Sequence, residues 1–594
     1  MKKFLLMLAF IHILSGCAST AIQSTAISTH TVLAPDQGVV VVQVINNTER
    51  LAPLHKDWSE VIAIRLDNAD EKKQAAIDKS KSKHKNKGKP FDESKVKWEH
   101  DYYSLSPSTQ GVINSQVFFG AMPEGEYIIT TLYSFYSDGN MSSWVSMPVL
   151  DSAGRFTVEK KRLTSLGSLV FQPLLSIKEK SFWSSSSSQK AYVTRVDEQQ
   201  PLADYVLGNL PQLAKQMDTY NPIGWNKDSY DSYRQSLGEL ARNNAYGNIA
   251  ISLSLNAKAA LASKFGQLKL INHDDSWDLL NLPTNSEMLS MLEIKDRIYV
   301  GSEKGSLFYK KYSSDQQWIK DTPVSPKEAI VWMAEADSQY YAVTQSDLNY
   351  KVYSFTVPNE EWKEITSFKK TNTNWLVQYG GLFPVMTTTG TLRIFNDNKI
   401  YDYDLDSNKW NTKKGSSLRK IAKLNDGTLV GLEVSQWDGV GDQVVSIDNG
   451  DTWVDISRTL SLFGDNKTDL SLPAKLAGGQ FVSLGRTPNK DKKKSTLNII
   501  SNEIDGLDKR KTWQYHYPAK DSCETLLPEL SQNKKLYFLC DQGQVVSTAD
   551  FGKTWITEID VDIASMQSKY EELSTAINES EEKESKGKVQ EIKE

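Results

Sequence analysis

Between Val39 and about residue 180 the chain breaks into short runs of β-branched and aromatic residues: "VVVVQVIN", "VIAIRLDN", "SQVFFGAM", "EYIITTLYSFY", "SWVSMPVL", "RFTVEKKRL" and "LGSLVFQPL". Turn-forming residues separate them, the pattern of strands joined by tight connections. The runs alternate only partly between apolar and polar positions, as strands do in two packed sheets. The spacing predicts a β-sandwich-like domain over 39–180. The texture then changes. "SFWSSSSSQK" (181–190) reads as a loop or linker, and "PLADYVLGNLPQLAKQM" and "SYDSYRQSLGELARNNA" carry apolar residues at helical spacing. Residues 181–246 are therefore read as a linker and helical connector.

Beyond 247 the strand pattern resumes with a period. Tryptophans recur at Trp277, Trp318, Trp362, Trp410, Trp453, Trp513 and Trp555, 41 to 60 residues apart. Each follows a polar turn, and upstream of each turn lie further strand-like runs, as in "VGSEKGSLFYKKYSSDQQW" and "FLCDQGQVVSTADFGKTW". The repeating unit is four strands in about 35–50 residues, the sequence mark of a β-propeller. Counting the marked turns gives seven blades over 247–560, with six or eight left open because the first and fifth are least regular. The repeats begin and end at blade borders, which predicts a ring closed without strand exchange. The fold class is thus mainly β: an N-terminal sandwich-like domain, a short helical connector and a C-terminal propeller.

Two of the turns share an eight-residue pattern, "SIDNGDTW" at 446–453 and "TADFGKTW" at 548–555. The pattern resembles the Asp-box of sialidases, sortilin-type receptors and related bacterial propellers. Its chemistry is local. Asp448 and Asp550 suit hydrogen bonds from backbone N–H groups across the turn, Gly450 and Gly552 suit positive φ, and Ser446 or Thr548 adds a hydroxyl. Thr452 and Thr554 complete the pattern, and Trp453 and Trp555 are placed to pack between blades. The resemblance implies a fold marker on the blade periphery, without a catalytic role for either aspartate.

The same resemblance raises a sialidase-like glycoside hydrolase as an alternative. Such enzymes use an arginine cluster, a tyrosine nucleophile with a glutamate partner and an acid/base aspartate, usually with an early Arg-Ile-Pro. No propeller arginine stands in that motif; Arg393 lies in "LRIF". There is no Gly-x-Ser-x-Gly elbow or phosphate-binding glycine loop, and the seven histidines are scattered without metal-ligand spacing. No cofactor, metal or catalytic residue is expected, and the sequence weighs against an enzyme.

The N-terminus changes the picture most. "MKKFLLMLAFIHILSGC" is a short apolar run behind two lysines, shaped as a secretion signal over 1–16. "LSGC" resembles the bacterial lipobox, which implies lipidation of Cys17, including an acyl chain such as palmitate. Ala18 and Ser19 lack the aspartate that favours inner-membrane retention, so an outer-membrane anchor is expected, on the periplasmic face or the cell surface. Residues 17–38 read as a flexible tether, and the Lys-rich 70–90, with eight lysines, as a mobile loop. That loop is read as a solvated insertion or an electrostatic foot for anionic headgroups or polysaccharide. "NKDKKK" (489–494) is read as a loop tip, and 561–594 as a charged tail, a frayed helix or disorder. "GAMPEGEYIITTLYS" resembles the turn and strand of transthyretin-like and carboxypeptidase-regulatory-like sandwiches.

With Cys17 assigned to the anchor, Cys523 and Cys540 remain, and an oxidising compartment makes a structural disulfide the expectation. The net charge of −5 argues against nucleic acid as a partner. The expected function is a lipid-anchored envelope scaffold whose non-catalytic propeller engages a protein partner. The alternative is binding or hydrolysis of envelope or host glycan.

Overall fold

The computed structural model describes residues 22–591 apart from 50–54, 56, 85–90, 109–114, 138, 140, 150–151, 181–184, 198, 254, 313–316, 337–338, 357–360, 371–380, 405–406, 435–441, 459–470, 488–495 and 532–533. The lipobox, Cys17 and the 489–494 lysines lie outside these residues.

The N-terminal β region contains β1 (Gln23–Ser24), β2 (Gln37–Asn46), β3 (Glu60–Arg65), β4 (Tyr102–Pro107), β5 (Gln116–Pro123), β6 (Gly125–Ser137), β7 (Ser142–Pro148), β8 (Arg155–Val158), β9 (Arg162–Lys180), β10 (Ser185–Val196) and β11 (Asp218–Ile223). The main order is β10-β9-β2-β5-β4-β3-β6-β7. β4 belongs to both halves: Tyr102–Leu105 pair with β3, while Ser106 and Pro107 pair with β5. That switch bends the strand array around one core, which holds Val42, Trp58, Phe118, Tyr127, Phe156 and Phe171. The opposite face of β2 and β5 is covered by α2 (Gln199–Asn209) through Leu202, Tyr205 and Val206 and by α3 (Pro211–Ala214) through Leu213.

Three segments differ from their sequence reading. The Lys-rich stretch forms a helix, α1 (Ala69–His84), with acids in its first turn, bases in its last and Ile77 as its one buried anchor. Strong helix formers and dipole-matched ends outweigh low apolarity there. The serine-rich 181–190 is largely strand: Ser185–Val196 pairs antiparallel with β9 as a long hairpin. Backbone hydrogen bonding, which side-chain hydropathy does not report, carries that pairing. The tether is shorter than 17–38, because Gln23 and Ser24 pair with β4 and Thr25 Oγ1 donates to Ser104 O at 2.7 Å. Leu33 then packs under α2.

The connector holds the expected helices, α2, α3 and α4 (Asp231–Asn243). Beyond it stand seven consecutive four-stranded antiparallel sheets: blades 1 to 7 over 247–281, 288–321, 329–369, 382–414, 418–455, 474–518 and 525–559. Every blade uses four sequence-adjacent strands, so the ring closes by packing, without strand exchange. The first strands of blades 2 to 5 contact each other in sequence around the axis, and the fourth strands lie outside and exposed. The tail continues as α5 (Ile563–Glu591), and its first half is docked: Met566, Tyr570 and Leu573 are buried against α4 and β10.

Candidate functional site

The repeated tryptophans explain how the blades hold together. Each sits at the head of a fourth strand and enters an apolar cluster shared by two neighbouring blades. Trp318 joins the cluster of blades 1 and 2, Trp362 that of 2 and 3, and Trp410 that of 3 and 4. Trp453, Trp513 and Trp555 continue the series, and Trp277 closes the ring between blades 7 and 1. Trp277 Nε1 also donates to Glu558 of blade 7 at 3.1 Å.

The two eight-residue turns share one hydrogen-bond pattern. Ser446 Oγ donates to Asp448 Oδ1 at 2.7 Å and accepts from Gly450 N–H at 2.7 Å. Thr452 donates through N–H to Oδ1 at 2.9 Å and through its hydroxyl to Oδ2. Thr548, Asp550, Gly552 and Thr554 repeat this at 2.9, 2.8, 2.8 and 2.7 Å. Partial burial opposes ionisation of Asp448, but the bonds from Thr452 and Ser446 hold its carboxyl below the ordinary range. At Asp550 the Thr554 N–H and hydroxyl lower it in the same way.

Each turn also seats on the preceding blade. A Cβ on Gly450 would stand 2.3 Å from Phe395 Cζ of blade 4, and Phe551 stacks on His516 of blade 6 with centroids 4.2 Å apart. Arg393 belongs to this staple. Its guanidinium pairs with Asp402 and donates to Asn449 O at 2.9 Å and Asp451 Oδ1 at 3.0 Å. Asp448 and Asp550 are thus engaged within their own turns, and Asp451 ties the turn of blade 5 to Arg393 and Lys413 of blade 4. Cys523 and Cys540 are joined beside the paired strands Thr525–Leu526 and Leu536–Leu539 of blade 7.

The sandwich is welded to one face of the ring, which carries the connections between blades and the turns between second and third strands. Its hydrogen bonds land on blades 7, 1 and 2. Ser115 N–H and Oγ–H donate to Glu303 at 3.1 and 2.6 Å, and Glu303 is wholly buried. Lys304 Nζ donates to Gln43 Oε1 at 2.9 Å. Lys264 Nζ donates to Asn46 O, and Gln542 donates to Leu174 O. Asn47 Nδ2 donates to Asn244 O at 3.0 Å and its Oδ1 accepts Tyr246 N–H at 2.6 Å, fixing the entry into blade 1. An apolar patch of Ile45, Val170, Leu174, Ala245, Phe265 and Met566 lies alongside. At the opposite end the axis is bridged: Ser252 Oγ of blade 1 donates to Lys423 O of blade 5 at 3.2 Å. The first strands of blades 6 and 7, two residues each, leave room for that crossing.

A cavity of about 270 Å³ lies on the sandwich side, lined by Arg195, Asp197, Trp225, Lys227, Asp231 and Gln235 among others. Arg195 is buried, donates to Ala153 O and to Asp231 Oδ1, both at 2.8 Å, and lies over the Trp225 ring. Arg234 beside it binds Asp228 at 2.6 Å and Asp231 at 3.1 Å. Burial raises the Asp197 carboxyl, against the pull of Arg195. Both guanidinium groups already face carboxylates, so the cluster acts first as the clamp of α4 onto the sandwich. Sequence reasoning missed it, since its partners come from β10, α4 and the loop before α4. Among the described residues no group of three or more His, Cys, Asp or Glu side chains is placed to hold a metal, and no helix is long and apolar enough to cross a membrane.

No protein-family model matches the chain, and no curated protein matches it. Solved structures do. YCF48 bound to D1 peptide is similar over 51% of this chain and 92% of its own, at 12% identity and TM-score 0.34. The β-propeller domain of Myceliophteria thermophila Cps50 (Swd1) is similar over 51% and 95%, at 10% identity and TM-score 0.33. A chain of the mitotic checkpoint complex is similar over 51% and 84%, at 14% identity and TM-score 0.30. The seven-bladed assignment rests on this chain's own sheets.

Proposed function

We propose that this protein is a lipid-anchored component of the bacterial cell envelope. Its sandwich and Asp-box-type propeller together form a non-catalytic platform for a protein partner. The anchor is Cys17, and the outer membrane is its expected site. The observation that carries the platform reading is the buried polar weld between sandwich and blades 7, 1 and 2. It fixes two surfaces relative to one another, as a scaffold requires, and the weld-side face of blades 4 to 6 is where the partner would dock. The bridge at Ser252 and Lys423 argues against a ligand threaded through the axis.

Site-specific photo-crosslinking in cells tests this. Photoreactive residues at Asn398, Ser416 and Asp521, on the weld-side face, are expected to capture one discrete protein. Thr389 and Lys553, on the opposite face, are expected to capture none. Equal capture from both faces, or none from either, sinks the platform reading. One observation favours the second reading, glycan binding. Phe135 and Trp144 are cross-strand partners on β6 and β7, both exposed, with Ser142 and Ser146 on the same face. An aromatic pair among hydroxyls suits a sugar ring. Loss of polysaccharide retention in Trp144→Ala would favour it.

A further inference from the structure

We propose that α1 is a membrane-facing surface that lies against anionic phospholipid headgroups. The inference rests on the lipid anchor proposed above and adds the orientation that the anchored body takes.

The chain enters the sandwich at β1, where Gln23 pairs with Tyr103 of β4. Only four residues lie between Cys17 and Ile22, so five steps of chain hold the anchored cysteine and the docked chain at most about 18 Å apart. The part of the sandwich around β1 is therefore held next to the bilayer. α1 starts at the same place. Asp101, two residues before Tyr103, accepts from Asn68 Nδ2 at 2.7 Å and pairs with Lys72 at 2.8 Å.

The helix presents the matching charge. Ile77 is its buried position, and Lys72, Lys79 and Lys83, at i, i+7 and i+11, form a stripe on the opposite side. Lys72 is held by Asp101, so the exposed Lys79 and Lys83 carry the charge of the stripe, and Lys73, four residues before Ile77, lies on the same side as that buried residue. Glu71 and Asp78 flank the stripe, while Lys81 is turned towards Glu93, so the acids do not interrupt the row of lysines. A basic stripe at the membrane end of a chain whose net charge is −5 gives the body a defined orientation.

The test uses the mature chain from residue 17 with Cys17→Ser, so that binding reads charge rather than acyl chains. Sedimentation compares vesicles of phosphatidylcholine alone with vesicles containing about one-third phosphatidylglycerol. Preference for the anionic vesicles, weakened by salt, is expected. Each surface lysine is worth about fivefold in partitioning, so Lys79→Gln and Lys83→Gln together should lower it by roughly twenty-fivefold. The same charge removed from the propeller, by Lys409→Gln and Lys553→Gln, should leave it unchanged. Equal partitioning into both vesicles, or equal losses in the two double variants, overturns the proposal. The anchor is judged separately, by mass spectrometry of the N-terminal peptide of protein from cells. An unmodified Cys17 removes the anchor reading and with it the orientation, whatever the vesicles show.

Discussion

Replacing Glu303 by alanine should loosen the sandwich from the propeller. The wild-type carboxylate is wholly buried and accepts both the N–H and the hydroxyl of Ser115, with Lys304 Nζ 3.9 Å away. The substitution strands two donors and leaves a mostly buried cation without its counter-charge. A hydrogen bond to a charged group contributes about 1.5–3 kcal/mol, so two of them set the loss at roughly 3–6 kcal/mol. Little of this should appear as unfolding of blade 4, which lies across the ring. Hydrogen exchange in the native state is therefore the appropriate assay. Amides at 115–117 and 303–306 should exchange about a hundredfold faster or more, while those in 392–404 keep their protection. Ser115→Ala alone should weaken the weld less, and the double variant should fall short of the sum of the two, because one contact is lost twice. Unchanged protection at 115–117 would refute the idea that this contact holds the two units together.

Other predictions follow from the same geometry. Gly450→Ala places a methyl 2.3 Å from Phe395 at φ +90° and should destabilise more than Gly552→Ala, whose nearest neighbour is Pro518 O at 3.1 Å; comparative urea unfolding checks the order. Reducing Cys523–Cys540, which closes a loop over 17 positions, should lower stability by about 3 kcal/mol, read as a smaller urea midpoint under dithiothreitol. Lys269 donates to Ala245 O at 2.9 Å, and burial lowers its ammonium from 10.5 to about 8. The unfolded chain therefore binds a proton over that interval that the folded chain does not, and this group's contribution to stability rises with pH from about 8 to 10.5. Relative to Lys269→Met, the wild type should gain up to about 3 kcal/mol across the window, and a flat difference refutes the assignment. Ending the chain at residue 562 removes buried Met566, Tyr570 and Leu573 and should lower the thermal midpoint and expose α4 to protease.

The repeat was legible because a propeller is local. Each blade takes its four strands from consecutive residues, so the period of the tryptophans reports the blade number directly. The turn chemistry was legible for the same reason: Asp448 meets donors two to four residues away. Local patterns failed where neighbours decide the outcome. α1 has one buried apolar anchor, and the serines of β10 pair only because β9 supplies a backbone ladder.

The seven blades, the marked turns and the helices of the connector were thus determined by the chain's own order. Their relative placement was decided only in three dimensions. Glu303 and Ser115 are 188 positions apart, and Tyr570 reaches Val193 across 377. Arg195 meets Asp231 from another element. Such contacts have no period and no spacing, because they form between surfaces that become neighbours only after the blades and the sandwich have folded. The face left over on blades 4 to 6 is set by these contacts, and so is the end of the sandwich that carries both β1 and the lysines of α1.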